Sequence, residues 1–163
     1  MMLKRANGFV IFAVNFILCV IWHLIILFAC IHANSKTFDS KRPLYREHKW
    51  EKGGKWYVKY LKINKWKDIL PQRIGSDGFS KAHFTGTSKE YMERFILETC
   101  RGEWNHTFNC FYAVIAVIIS PPLYGIIFGL LTVLVNLPFI AIQRYNRIRL
   151  LKLKRKLEKK GEL

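Results

Sequence analysis

The sequence predicts a mainly α-helical integral membrane protein, with an N-terminal transmembrane helix, a C-terminal helical hairpin and a basic, aromatic-rich interfacial segment between them. Two apolar blocks, residues 8–31 and 108–142, are each long enough for a helix to cross a bilayer core, which needs about 20 residues. The stretch between them is polar and rich in Lys, Arg and aromatic residues. The chain of 163 residues has room for one domain.

The chain is strongly basic, with a formal net charge of +16 and a pI near 10.0. Nucleic-acid binding would fit this charge, but membrane topology and anionic lipid already require basic residues beside apolar spans. We therefore expect membrane lipids as partners, and no nucleic acid. The four cysteines form no CxxC pair and lie in or beside apolar segments, which indicates small core residues and no disulfide framework.

The first apolar block predicts an N-terminal transmembrane helix within residues 1–33. A secretory signal peptide has a similar charged start, but its apolar core is shorter, about 7 to 15 residues. Asn15 and His23 lie inside the block, roughly on one face of the helix. A polar side chain in the bilayer usually faces protein, so both are expected to pack against later segments.

Residues 34–87 are predicted to form a basic interfacial segment followed by a loop. Interleaved aromatic and basic residues can stack nucleic-acid bases, but beside membrane spans they are typical of a segment at the headgroup level. A glycine pair at 53–54 should interrupt the backbone. Helical spacing over 57–65 predicts a short amphipathic helix that ends before Pro71, and residues 72–87 are expected to be a loop.

Residues 88–142 predict an amphipathic helix that leads without interruption into a membrane hairpin. Ser88 supplies a capping hydroxyl, and apolar residues then recur with helical period as far as Ser120. Two prolines at 121–122 end this helix, and residues 126–142 form the opposite arm. Each arm is near the minimum spanning length, so the hairpin either crosses the bilayer or re-enters it.

Residues 143–163 predict a basic cytoplasmic tail with an interfacial helix. With three spans, the arrangement favoured by the sequence, the basic centre and the basic tail lie on one side of the membrane. The positive-inside rule makes that side cytoplasmic, whereas two spans would place the centre outside. We therefore expect a multi-pass protein of the cell membrane.

Glu103 and His106 form the clearest candidate for chemistry, at the mouth of the second apolar block. Their spacing of three residues, with Thr99 four before Glu103, places all three on one helical face. A carboxylate there can orient an imidazole that removes a proton from a hydroxyl; a buried ion pair between packed helices fits the spacing equally well. Glu-x-x-His is also half of a di-iron site, but the sequence has no second copy, so neither metal nor cofactor is expected.

Signatures of conventional soluble enzymes are missing from the sequence. The chain has no His-x4-Asp motif of the glycerolipid acyltransferases and no Gly-x-Ser-x-Gly elbow. A P-loop and a dinucleotide fingerprint are missing as well. No conventional soluble enzyme therefore fits the sequence.

Five short motifs follow one another between about residues 51 and 149. They are Gly54-Lys55-Trp56-Tyr57, Lys65-Trp66-Lys67-Asp68-x-Leu70-Pro71, Glu98-Thr99-x-Arg101-x-Glu103-x-x-His106, Asn136-x-Pro138 and Gln143-Arg144-Tyr145-Asn146-Arg147-x-Arg149. In content and order they resemble the glycosyl-4,4'-diaponeurosporenoate acyltransferase family, and the order is more specific than any single motif. Gly102 departs from an expected alanine, and Thr107 stands where an aromatic residue is expected.

The resemblance implies the last step of staphyloxanthin-type carotenoid synthesis. A fatty acyl group would be esterified onto the glucose C6 hydroxyl of a glycosylated carotenoid acid or a similar glycolipid. The partners implied are an acyl donor, either acyl-CoA or acyl carrier protein, and a lipid-soluble glycosylated acceptor. The alternative is a non-enzymatic small membrane protein that acts as a lipid-binding scaffold or assembly factor.

The resemblance also implies a set of site residues. His106 would be the general base and Glu103 its orienting partner. The substrate-binding residues implied are Glu98, Arg101, Asn136, Gln143, Arg144, Tyr145, Asn146, Arg147, Arg149, Trp56 and Trp66. Among them, the amides at 143 and 146 are expected to stabilise an oxyanion, the three arginines to hold an acidic carrier or coenzyme phosphates, and the tryptophans to contact the glucose or brace the interface.

Overall fold

The computed structural model describes Leu3 and residues 6–70 and 88–161, and these residues are helical, with no strand among them. The α-helices in this part of the chain are α1 (Gly8–His32), α2 (Lys55–Lys59), α3 (Lys89–Cys110), α4 (Tyr112–Ile119) and α5 (Pro122–Lys160). The loop expected at 72–87 lies outside the described residues.

The chain divides into two compact units. Unit 1 consists of Met1–Asn34 and Glu103–Ile140, and unit 2 of Ser35–Gly102 and Ala141–Leu163. Each unit therefore joins segments that are far apart in sequence, and α3 and α5 contribute residues to both.

Helix α1 of unit 1 is apolar on every side, which is typical of a membrane span. The side chain of Asn7 caps its first turn by accepting from the backbone N–H of Val10 at 2.9 Å. Asn15 is completely buried; its Nδ2 donates to Ser120 Oγ at 2.8 Å, and the Tyr112 hydroxyl donates to its carbonyl at 2.8 Å. The prediction that Asn15 packs against a later segment is confirmed.

The expected helical hairpin is present in unit 1, where α4 and α5 pack antiparallel after the proline turn at 121–122. A Cβ on Gly125 would lie 2.8 Å from the carbonyl oxygen of Ala116, and a Cβ on Gly129 would lie 3.3 Å from Ala113. Small residues four apart allow such a close approach of two membrane helices. These glycines therefore set the helix spacing in the hairpin.

Two helices of the described chain, α1 and α5, are long and apolar enough to cross a membrane. One continuous helix was expected before the turn at 121–122, but the structure has two. Phe111 separates α3 from α4, and the hydrogen bonds at this point run from residue i to i−3. α4 has only eight residues, and α3 is polar on average. The expectation of three spans is therefore not supported.

Unit 2 has a core of aromatic and aliphatic side chains from α5 and the central segment: Tyr57, Ile63, Ile142, Tyr145 and Ile148, with Trp56 and Trp66 packed against them. The helix expected over 57–65 ends at Lys59, because Lys62 adopts a left-handed conformation (φ 50°) and turns the completely buried Ile63 into this core. The glycine pair interrupts the backbone as expected, with φ of 67° at Gly53 and 86° at Gly54.

Candidate functional site

His106 is positioned by a hydrogen bond inside unit 1. Its Nδ1 lies 2.9 Å from Asn136 Oδ1, and its ring stacks on Phe139 with centroids 4.6 Å apart and planes 11° apart. Asn136 is only 3% exposed, and its Nδ2 donates to the carbonyl of Thr132 at 2.9 Å. The amide of Asn136 is therefore oriented with Oδ1 as the acceptor, so Nδ1 of His106 carries the hydrogen.

In this tautomer Nε2 of His106 is the ring nitrogen that carries no hydrogen. A neutral imidazole with an accessible Nε2 is the form that acts as a general base, and an asparagine holds the catalytic histidine in papain-like proteases. Asn136, expected among the substrate-binding residues, lies here as the partner of His106. Glu103 is buried three residues before His106, with 4% of its surface exposed, and its role as the orienting group stays a prediction.

Two buried amides beside His106 were missed by sequence reasoning. Asn105 and Asn109 lie one turn apart on α3, and the Oδ1 atom of each is buried without a hydrogen bond from the described residues. Asn109 is only 2% exposed. A buried acceptor left without a donor costs about 1–3 kcal/mol, so these carbonyl oxygens are suited to a ligand that brings hydroxyl donors. Two asparagines at helical spacing near the candidate base His106 were a readable signal.

Arg144 lies in unit 2 and forms a buried ion pair with Glu51, a partner that sequence reasoning did not identify. Its Nη2 and Nε are 2.8 and 2.9 Å from the two carboxylate oxygens, and the Tyr57 hydroxyl donates to the same carboxylate at 2.6 Å. Burial opposes ionisation of Glu51, but the hydrogen bonds, led by that of Arg144, hold the pKa of this carboxyl below its ordinary value. Burial and the adjacent carboxylate raise the pKa of Tyr57.

The other two arginines of the basic motif differ in exposure. Arg147 is 1% exposed; its Nε donates to the carbonyl of Tyr45 at 3.0 Å, and its guanidinium lies over the Tyr45 ring. Arg149 is exposed and lies over the ring of Tyr145. Of the arginines expected to hold an anionic donor, Arg144 and Arg147 thus make internal contacts, and Arg149 is exposed to solvent.

Three further expected site residues make contacts within unit 2. The Tyr145 hydroxyl donates to Asn64 Oδ1 at 2.8 Å. Arg101 and Glu98 form an ion pair at 2.6 Å, and the Arg101 guanidinium lies over the ring of Phe38. Their proposed contacts with substrate stay predictions.

The motif residues Trp56, Trp66 and Asn146 also lie in unit 2. Trp56 packs edge-on against Trp50, and Trp66 Nε1 donates to the carbonyl of Leu61 at 2.8 Å. Asn146 is half-buried. Across residues 6–70 and 88–161, no group of three His, Cys, Asp or Glu side chains could hold a metal ion.

Gln143 packs against Gly102, one of the two positions that depart from the expected motif. A Cβ at 102 would lie 2.8 Å from Cδ of Gln143, so the glycine makes room for this side chain. Gln143 Oε1 is buried and accepts no hydrogen bond from the described residues. The expected oxyanion role of Gln143 and Asn146 stays a prediction.

Comparison with known proteins gave one family and a set of curated relatives. The model of the family described as glycosyl-4,4'-diaponeurosporenoate acyltransferase matches residues 41–156. Proteins of that name from Staphylococcus aureus are 31% identical in strain Newman and 30% identical in strain bovine RF122, over 132 residues that cover 78% of this chain and 78% of each relative. No solved structure matches the chain.

Proposed function

We propose that this chain, which belongs to the glycosyl-4,4'-diaponeurosporenoate acyltransferase family, is a membrane-bound O-acyltransferase that esterifies the glucose C6 hydroxyl of a glycosylated carotenoid acid. The observation that carries the proposal is the hydrogen bond from His106 Nδ1 to Asn136 Oδ1, because it leaves Nε2 as the proton acceptor that such a reaction needs. The acyl donor would be acyl-CoA or an acylated carrier protein.

The reaction proceeds by general base catalysis. Nε2 of His106 removes the proton of the sugar hydroxyl as its oxygen attacks the carbonyl carbon of the acyl thioester. The tetrahedral oxyanion collapses and expels the thiolate, which takes the proton back from His106, so an ester and a free thiol are released. The buried carboxylate of Glu103 stabilises the transient imidazolium.

The buried acceptors on α3 support a hydroxyl-rich substrate. Asn105 and Asn109 flank His106 in sequence, and each presents a carbonyl oxygen that lacks a donor within the described chain. Sugar hydroxyls are donors, and binding sites for small molecules typically use a few such polar groups to fix orientation. We infer that these two amides accept hydrogen bonds from the glucose of the acceptor.

The exposure of the apolar helices supports a site that lipid-soluble substrates reach from the bilayer. In the most apolar 18-residue windows of α1 and α5, only 17% and 28% of the residues are buried within the protein. The core helix of a soluble protein would be mostly buried, whereas large exposed apolar surfaces on two long helices are typical of helices that face lipid. Membrane lipids and a lipid-soluble glycosylated acceptor are therefore the expected surroundings.

The test is acyl transfer by the purified protein in lipid vesicles, with acyl-CoA and a glycosylated carotenoid acid, and the ester measured by mass spectrometry. We expect His106→Gln to lower kcat at least ~100-fold, the usual range for loss of a general base. His32→Gln, at the exposed end of α1, is the matched control and should leave kcat unchanged. Full activity of His106→Gln would refute the base assignment, and an inactive wild-type protein would refute the proposed function.

A further inference from the structure

A groove of about 380 Å³ lies between α1 and α5 within unit 1. Its two walls have the same construction, with side chains at positions i, i+3, i+4, i+7 and i+8 counted from Phe16 on α1 and from Phe128 on α5. Each wall is thus one stripe of its helix and extends about 12 Å along the axis, at 1.5 Å per residue. The groove is a straight slot between two helices.

The two ends of the slot differ in chemistry. At the Phe128 end, the rings of Phe12 and Phe128 contact each other with centroids 5.4 Å apart and form an aromatic floor. At the opposite end, two helical turns along α5, the wall is Asn136, whose Oδ1 accepts from His106. Most of the side chains between these ends are apolar. The slot therefore runs from an apolar end, next to the ring pair of Phe12 and Phe128, to Asn136, the hydrogen-bond partner of His106.

We propose that this slot binds the fatty acyl chain of the donor, with the thioester at the Asn136 end and the methyl end at the floor of Phe12 and Phe128. The inference rests on the proposed function and deepens it. Phe16 and Leu131, one on each wall, are 57% and 51% exposed, so the slot is open along its side and a chain enters it from the lipid. The aromatic floor then limits the length of chain that fits.

Size and polarity favour an acyl chain over the sugar of the glycosylated acceptor. The volume corresponds to roughly a dozen groups of about 30 Å³ each, the share of one water molecule in the liquid, which suits an unbranched chain of moderate length. A sugar would need several hydrogen-bond partners, and the walls offer few polar side chains. Asn136, the one amide among them, already bonds to His106 and Thr132.

Two neighbouring leucines provide a matched test. Leu131 lines the slot, whereas Leu130 is 59% exposed and lies outside it. The protein in vesicles is given an equimolar mixture of acyl-CoA chain lengths and the acceptor, and the esters are quantified by mass spectrometry. Leu131→Trp should reduce the longest products relative to the shortest by ~10-fold or more, since one methylene already changes discrimination in an apolar pocket by that order. Leu130→Trp should leave the distribution unchanged.

A substitution in the aromatic floor of Phe12 and Phe128 should change the product chain lengths in the opposite direction. Phe128→Ala removes one of the two rings, so we expect the product distribution to move toward longer chains. Equal distributions for wild-type, Leu131→Trp and Phe128→Ala would overturn the proposal, provided that the Leu130→Trp control is active.

Binding without turnover separates this proposal from the proposed function. A long-chain acyl-CoA with a terminal diazirine is photolysed with the protein in vesicles, without acceptor, and the labelled residues are mapped by mass spectrometry. Label on the two stripes in wild-type and Leu130→Trp, but reduced in Leu131→Trp, supports the slot even if no transfer occurs. The proposal is refuted, even if the enzyme is active, by either of two results. One is equal labelling of the two stripes in wild-type and Leu131→Trp, and the other is no labelling of the stripes in wild-type.

Discussion

The imidazole of His106 is held in one tautomer by a neutral amide, and this choice of partner has a measurable consequence. A carboxylate in place of the amide would still accept the Nδ1 hydrogen, but its charge would favour the protonated imidazole. Nε2 would then become available as a base only at higher pH. For the proposed base, a negative charge at position 136 would therefore change the pH dependence of activity.

We therefore expect Asn136→Asp to move the acidic limb of the pH profile of kcat/KM to higher pH, by about one unit. Asn136→Leu removes the acceptor, so it should lower kcat at every pH without moving the limb. Leu137→Ala, one residue away and outside the slot, is the control for changes in local packing. Superimposable profiles for wild-type and Asn136→Asp would contradict the assigned hydrogen bond.

The ion pair between Arg144 and Glu51 is completely shielded at the carboxylate. Removal of one partner leaves the other charge buried and unpaired, which typically costs about 3–5 kcal/mol. Glu51→Gln should therefore lower the free energy of unfolding of the detergent-solubilised protein by several kcal/mol. The exposed pair of Lys154 and Glu93 is the comparison: Glu93→Gln should cost less than about 1 kcal/mol. Equal losses of stability in Glu51→Gln and Glu93→Gln would show that burial does not determine the contribution of the Arg144–Glu51 pair.

The same carboxyl predicts how stability depends on pH. Its pKa in the folded protein lies below the ordinary value of 4.5, so ionisation of Glu51 favours folding. The stabilisation is fully present above pH 4.5 and is lost as the pH falls through the lower pKa of the folded state. Unfolding midpoints measured from about pH 6 to pH 3 should fall less steeply in Glu51→Gln than in wild-type. Parallel curves would argue against a depressed pKa.

At the scale of elements, the α4–α5 hairpin depends on a glycine where a methyl group has no room. Helix propensity alone would make Gly125→Ala stabilising by about 1 kcal/mol. A Cβ 2.8 Å from the backbone of Ala116 and Val117 instead forces the helices apart, and overpacking costs about 1–3 kcal/mol. We expect Gly125→Ala to lower the thermal midpoint, with a smaller effect for Gly129→Ala, where the contact is 3.3 Å. A raised midpoint would contradict the close packing.

Sequence patterns predicted the elements that depend on local signals. The apolar run of α1 and the proline turn that starts α5 were readable, because length and backbone chemistry determine them. The early end of α2 was not, since Lys62 turns left-handed only to bury Ile63 in a core built with α5. The pairing of His106 with Asn136 was not readable either, because the two residues are 30 positions apart and no local pattern joins them.

At the scale of the whole molecule, charge and compactness predict membrane topology. Unit 2 combines the basic central segment with the basic end of the chain in one compact body, and such a body lies on one side of a membrane. The positive-inside rule makes that side cytoplasmic.

Cysteine labelling in intact cells tests this topology. In a chain whose native cysteines are replaced by serine, Lys49→Cys and Lys159→Cys introduce thiols at exposed positions of unit 2. Neither should react with a membrane-impermeant maleimide until the cells are opened, and both should react then. Reaction of only one of them in intact cells would place the two segments on opposite sides.

One wall of the slot proposed for the acyl chain belongs to α1, and the match to the family begins only at residue 41, after α1 has ended. His106, the proposed base, and its partner Asn136 lie inside the matched region, whereas α1 lies before it. We therefore expect α1 to affect the chain-length preference separately from the reaction itself. If α1 is exchanged between two relatives, each chimera should show the acyl-chain-length preference of the relative that supplied its α1.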